Sequence, residues 1–207
     1  MSRIAEWRNT VDDPPIAKAI FNDVRLSWLW LIVRLYVGYS WISAGIEKAE
    51  NPAWTVTGTA LKGFWTSAVA VPANGKAPIT FDWYRSFLTF MLDSGSYVWF
   101  SKLIIFGELA IGLGMIVGAF VGVAAFFGAF MNWNFGMAGS ASINPMLFAL
   151  SIFLLLAWKT AGYIGLDHVI LPMLGTPWRP GIAFVKDVSS KPVMAGGSGQ
   201  KVPTEQR

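Results

Sequence analysis

Residues 103–158 read LIIFGELAIGLGMIVGAFVGVAAFFGAFMNWNFGMAGSASINPMLFALSIFLLLAW, and the only charged side chain among them is Glu108. One helix crosses a bilayer with roughly 20 apolar residues, so this run holds nearly three crossings joined by tight turns. Glycine-rich breaks at 118–121 and 136–142 divide it into spans at about 99–117, 120–138 and 143–161. A fourth span precedes it at 26–46, with Arg34 inside it. The expected fold is all-α, an integral membrane four-helix bundle with amphipathic interfacial helices in the loop between the first and second spans.

Composition agrees. The chain of 207 residues is 54% hydrophobic and 14% charged, with a mean hydropathy of +0.49, outside the range of ordinary soluble domains. The net charge of +4 would suit nucleic acid, but the basic residues are dispersed over the ends and one loop, as membrane-flanking charge is. No nucleic-acid partner is therefore expected; the lipid bilayer is. There is no cysteine, and His168 is the single histidine. A metal site, haem, flavin or iron–sulfur cluster bound by this chain alone is not expected.

The flanking segments complete the map. Residues 1–25 form a cytoplasmic segment in which Asp13-Pro14-Pro15 has the pattern of a helix start, opening a short amphipathic helix through Ile16, Ala17, Ile20 and Phe21. The arginine and the long charged lead argue against a cleaved signal peptide. The loop 47–98 is less hydropathic but patterned. Its first half carries Trp54, Leu61, Phe64, Trp65, Ala68 and Val69, Asn74-Gly75 marks a turn, and Trp83, Phe87 and Met91 recur every four residues after Asp82. Both halves read as amphipathic helices in the interface, or, less directly, as a re-entrant cap over the bundle. Gly114, Gly118 and Gly122 predict close helix packing and a tight hairpin. The membrane domain spans 26–170, and 171–207 is a cytoplasmic tail, largely disordered in its Gly/Ser/Lys/Pro-rich part.

Charge orients the chain. The flanks 1–27 and 163–207 carry Arg3, Arg8, Lys18, Arg25, Arg179, Lys186, Lys191, Lys201 and Arg207; the loop 47–98 carries Lys48, Lys62, Lys76 and Arg85. The positive-inside bias predicts a multi-pass protein of the cell (inner) membrane with both termini cytoplasmic. Trp28, Trp30 and Trp158 would mark the inner interface, and Trp41, Trp99 and Trp133 the outer one.

Two intramembrane charges stand out as candidate catalytic residues, Arg34 and Glu108. Each costs about 2.5–3.5 kcal/mol at mid-depth on insertion scales, and pairing across the helix interface would offset this. Such a pair either pins helix register or forms the floor of a site where Glu108 handles a proton. A second polar set gathers at the outer ends of the spans: Glu47, Lys48, Trp41, Asn132, Asn134, Ser140 and Asn144. Each has a plainer role available, as a snorkelling anchor, a helix cap beside Pro145 or interhelical glue. Together they would form a mouth with cationic and neutral donors and aromatic walls. His168 reads as a surface histidine near the headgroups.

Several short motifs in order resemble the DoxX/DoxD membrane proteins. They are Ala44-Gly45 with Lys48 and Asn51-Pro52, Glu108-Leu109 with Gly112, Asn132 with Ala138-Gly139-Ser140 and Asn144-Pro145, and Gly162-Tyr163-Ile164-Gly165-Leu166-Asp167. The resemblance implies a four-helix membrane bundle. It also implies the membrane subunit of a thiosulfate:quinone oxidoreductase, with quinone as a diffusible substrate and further protein subunits as partners. The alternative is a non-catalytic accessory or structural transmembrane subunit of a larger membrane redox complex.

Overall fold

The computed structural model describes residues 13–73 and 75–176. Residues 177–207 of the expected tail, residues 1–12 of the N-terminal segment and Asn74 of the predicted turn lie outside the described residues. Among the described residues there is helix and no strand. Seven helices matter below: α1 (Ser27–Glu50), α2 (Thr59–Val69), α3 (Asp82–Asp93), α4 (Tyr97–Val117), α5 (Val121–Met137), α6 (Asn144–Leu156) and α7 (Asp167–Met173). The helix containing α1 (Val24–Glu50) and α4 are long and apolar enough to cross a membrane, and α6 is a shorter apolar helix.

The four long helices form a bundle whose core is Trp30, Val37, Trp41, Ile111, Met115, Val121, Ala125, Leu147 and Leu154. Two tight antiparallel pairs build it, α1 with α4 and α5 with α6. Glycine permits the first crossing: a Cβ on Gly112 would meet the Ile42 nitrogen at 2.8 Å and the Gly38 oxygen at 2.9 Å. Backbone as well as the Ile42 side chain is in contact there, the close approach that small residues allow. The outward faces are apolar, with Phe106, Leu113, Phe126 and Phe153 among the exposed large side chains.

The predicted spans and the helices agree to within a turn. α1 runs one turn further than expected, through Lys48, and the last span breaks at Ala157 before a short turn at Trp158–Ala161. The hairpin between α4 and α5 turns on Gly118, whose φ of +70° is left-handed, a conformation glycine adopts without strain. Gly122 lies against Trp158.

The 47–98 segment folds over one end of the bundle, here the cap end. α2 and α3 enclose a second core of Leu61, Trp65, Ala68, Ile79, Tyr84, Leu88 and Met91 that reaches Ile104 of α4 and Ala138 after α5. The face of α3 turned inward is therefore Tyr84–Leu88–Met91, while Trp83 and Phe87 are exposed. Both faces of α3 carry large apolar residues, so the period-four pattern alone could not say which one docks.

At the opposite, terminal end, a short helix follows Pro14 as expected, with a turn of π-helix at Lys18–Asn22. Asp13 does not cap it; its carboxylate accepts from Asn22 Nδ2 at 3.1 Å. Phe21 stacks on Trp30 at 5.8 Å, and the Trp30 indole donates to the Ile20 carbonyl at 3.0 Å. Trp30 and Trp41 are buried core residues rather than interfacial ones, whereas Trp28, Trp99 and Trp133 are exposed.

Candidate functional site

The expected Arg34–Glu108 pair does not form. Arg34 is buried at the terminal end, where Nη1 donates to the Ala161 carbonyl at 2.9 Å and Nη2 to the Ile164 carbonyl at 2.8 Å. Its guanidinium lies against Gly118 and Gly165. Asp167, fully buried, closes the same junction by accepting the amide protons of Phe120 at 2.6 Å and Val121 at 2.8 Å. Those are first-turn amides of α5, the free donors that any helix start must satisfy. Burial pushes the Asp167 carboxyl up, against the two amides and the Arg34 charge, which hold it down. Arg34 thus clasps the 161–165 turn to α1, away from Glu108.

Glu108 pairs instead with Lys48 of α1, Nζ to Oε2 at 3.0 Å, with the carboxylate side chain 1% exposed. The Lys48 ammonium also lies 5.4 Å from the centre of the Trp54 ring and 3.4 Å from the Ala44 carbonyl. Gly45 makes room, since a Cβ there would stand 3.3 Å from that of Glu108. The direction of helical side chains explains the exchange of partners. Each Cα–Cβ bond tilts toward its helix N-terminus. On antiparallel α1 and α4, Arg34 therefore leans to the terminal end and Glu108 to the cap end, diverging, while Lys48 leans down to meet Glu108. Gly118, beside Arg34, lies ten residues beyond Glu108 on the α4 side, about 15 Å along the axis at 1.5 Å per residue.

Below the ion pair the bundle holds a second polar group. Trp41 of α1, Asn132 of α5 and Ser151 of α6 are 3%, 2% and 0% exposed. The Trp41 indole nitrogen, both polar atoms of the Asn132 amide and the Ser151 hydroxyl have no hydrogen-bond partner. Two of them meet at Gly128: a Cβ built there would stand 3.3 Å from Ser151 Oγ and 3.3 Å from Trp41 Nε1. Asn132 is one turn further toward the cap end on the same face of α5. Ile111, one turn from Glu108 on α4, flanks the same glycine at 3.5 Å. By helical rise Glu108 and Asn132 therefore lie at similar depth. Asn132 also lines a pocket of about 310 Å³ that lies beneath the Pro78–Phe81 segment, with Trp133, Gly136, Pro145 and Phe148.

The remaining expected site residues do not join this chamber. Glu47 is exposed at the cap end. Asn144 Nδ2 donates to the Ser140 carbonyl at 3.2 Å and meets its Oγ at 3.1 Å, closing the turn into α6. Asn134 accepts from the Tyr84 hydroxyl through its carbonyl at 3.1 Å and its Oδ1 at 3.2 Å, fastening α3 to α5. Burial drives the Tyr84 phenol up to about 12. His168 is exposed, with the edge of Tyr163 4.7 Å away. A single outer mouth thus resolves into an ion pair, a set of unpartnered groups and two structural fastenings. Ser151 and Trp54 were missed in the sequence reading. A lone hydroxyl inside the run Phe148–Leu156 was the available signal for the first; nothing local marked the second.

A long apolar groove of about 890 Å³ also runs between α4 and α5, from Leu61 and Tyr84 at the cap to Val117 and Phe120. Among the described residues no cluster of three or more His, Cys, Asp or Glu could hold a metal ion.

No protein-family model matches the chain. No curated protein matches it in sequence, and no solved structure matches its fold.

Proposed function

We propose that this chain is a four-helix integral membrane protein of the DoxX/DoxD kind, acting as the membrane subunit of a quinone-linked oxidoreductase with thiosulfate as donor. The observation that carries the reading is the Lys48–Glu108 ion pair, enclosed in a bundle whose exterior is apolar and set at the depth of the unpartnered Asn132 amide. A protein core needs no such arrangement for stability: a buried ion pair is often no better than apolar packing, and buried polar groups without partners carry a cost. Intramembrane charges that face a bundle interior are a recurrent mark of proton and substrate sites.

The reaction balances without a redox centre in this chain. Two thiosulfate ions join through a new S–S bond and give up two electrons. The quinone takes these electrons with two protons and leaves as quinol. Glu108 is the proton carrier, and Lys48 holds positive charge beside it for the quinol anion or the approaching donor. Both termini are cytoplasmic and the cap faces outward in the cell (inner) membrane, on the positive-inside bias. Further subunits complete the complex.

The test is quinone reduction by the gently solubilised protein with its co-purifying partners, using thiosulfate. Turnover that disappears in Glu108→Gln, with assembly intact, supports the reading; full turnover in that variant removes the proton role. A second reading, a non-catalytic accessory subunit, draws on the exposed apolar groove between α4 and α5, a surface of the kind that marks helix or partner contacts. It gains if several donors give no turnover in a preparation dominated by a large stable complex.

A further inference from the structure

We infer that the groove between α4 and α5 is a binding site for one phospholipid, with an acyl chain lying in the groove and an anionic headgroup on Lys102 at the cap rim. This goes beyond the redox reading and needs only that the bundle lies in a bilayer. A tight turn joins α4 to α5, yet the two pack less closely than α1 with α4 or α5 with α6. Between them Gly107, Ala110 and Gly114 make a floor without bulk, and Phe106, Phe127 and Phe130 rise beside it as exposed walls. The floor is where the helices come closest. A Cβ on Gly107 would stand 3.2 Å from the Met131 sulfur, and one on Gly114 3.1 Å from the Ala119 carbonyl oxygen.

The dimensions select the occupant. From Phe100 to Val117 the groove follows α4 for roughly 25 Å at 1.5 Å per residue. Spread over that length, its volume of about 890 Å³ gives a section of roughly 36 Å². A helix is about 10–12 Å across with its side chains and needs roughly 80–110 Å². An extended hydrocarbon chain, about 4–5 Å across at carbon contact distances, needs roughly 20 Å². The groove therefore takes in a chain whole, whereas a helix could only rest on its rim. Charge selects the headgroup. α2 and the first half of α4 (97–107) carry Lys62 and Lys102 and no acidic residue. Lys62 is engaged over the Tyr97 ring at 5.2 Å. Lys102 is exposed one turn above Phe106 on the same face of α4, and its other neighbours one turn away are Val98, Trp99 and Ile105. Its stem leans toward the helix N-terminus and so toward the cap, which carries the ammonium to headgroup level. At the groove's mouth α3 adds Asp82, already paired with Arg85 at 2.7 Å, while Asp93 lies beyond the lining residues. A chain hung from a cap-side headgroup reaches mid-bilayer about 15 Å down. Ala110, ten residues below Phe100, lies at that depth by helical rise.

The test is native mass spectrometry of the full-length protein in detergent micelles doped with palmitoyl-oleoyl phosphatidylglycerol or the matching phosphatidylcholine. The expected spectrum shows one tightly held lipid per chain, with phosphatidylglycerol preferred. Ala110 is exposed in the groove, and in Ala110→Trp the indole would lean back over the floor at Gly107. That variant should weaken retention of both lipids roughly tenfold or more, the effect of displacing a few buried methylenes. Leu35→Trp, the same bulk on the exposed face of α1, should change neither. Lys102→Gln should keep both lipids bound and cut the preference for phosphatidylglycerol roughly fivefold, the worth of one lysine at a membrane surface. Helical circular dichroism and melting temperature screen the variants, and Ala110→Leu carries the test should Ala110→Trp fail to fold. Retention that Ala110→Trp and Leu35→Trp alter equally is ordinary boundary lipid and overturns the site. So does a dimer or a co-purifying subunit that Ala110→Trp dissociates, since the groove then seats a helix. An unchanged preference in Lys102→Gln overturns the headgroup assignment. Quinone reduction is measured separately, so loss of the lipid site leaves the redox reading standing.

Discussion

Lys48 and Glu108 show how much a residue's direction matters. Both were visible in the sequence as charges bordering or interrupting apolar runs, and so was Arg34. Depth alone suggested pairing the two most buried, but depth is measured at Cα, and long side chains on antiparallel helices lean opposite ways. The partner had to come from further along α1, on the cap side, which is where Lys48 lies. The consequence is testable by a double-mutant cycle. Lys48→Ala strands a carboxylate that is 1% exposed and should cost about 3–5 kcal/mol of stability, the usual penalty for breaking one side of a buried pair. Lys48→Met with Glu108→Leu should recover most of that loss, because replacing both charges by apolar groups removes the stranded charge. A lowered melting temperature in the single variant and near-native melting in the double variant is the expected pattern. Equal losses in both would mean that the charges themselves hold the helices together.

At the scale of elements, the run 103–158 displayed its helices because their boundaries are written in glycine and in the lack of charge, which are local properties. The face of α3 was not legible, since Trp83 and Phe87 compete with Tyr84 and Leu88 and only tertiary contacts with α2, α4 and α5 decide between them. Tyr84 is decided by tertiary contact, its hydroxyl held by Asn134, and this sets a pH dependence. Its pKa lies at about 12 in the folded protein against the ordinary 10.0. A group raised on folding contributes stability that is whole below the unfolded value and lost as pH rises through the folded one. The attachment of α3 to α5 should therefore weaken between about pH 10 and pH 12, and Tyr84→Phe should lack that alkaline component. Phenolate absorbance, with one tyrosine titrating late in the native protein and not in the variant, checks it. The α4–α5 turn offers a second case. Gly118→Ala places a Cβ on the Arg34 guanidinium and holds a side chain in a left-handed backbone, itself about 1–2 kcal/mol. The expected outcome is a lower melting temperature with the Lys48–Glu108 pair untouched, because the clasp lies at the other end of the bundle.

The whole molecule puts its polarity inside and its apolar surface outside, and the two ends differ in kind. At the terminal end the buried polar groups mostly have partners: Arg34 two carbonyls, with its Nε left over, Asp167 two amides, Thr160 the Phe21 carbonyl. Toward the cap end Ser101 is bonded to the Trp54 carbonyl, but Glu108 is charged and Trp41, Asn132 and Ser151 are unpartnered. A folding scaffold explains the first set and leaves the second without a structural role, so a ligand should approach from the cap side. That approach has a compartment only if the orientation is the one the basic residues favour, with the cap outside. The chain has no cysteine, which makes the test clean. Lys76 in the cap loop and Ile16 near the terminal end are both exposed, and each can be replaced singly by cysteine. In intact spheroplasts a membrane-impermeant maleimide should label the Lys76→Cys variant at once and the Ile16→Cys variant only after lysis. The reverse pattern would place the pocket on the cytoplasmic side and require a donor from within the cell. Labelling of both before lysis would mean that the helices do not cross the bilayer, and the site would then need a surface-bound account in place of a transmembrane one.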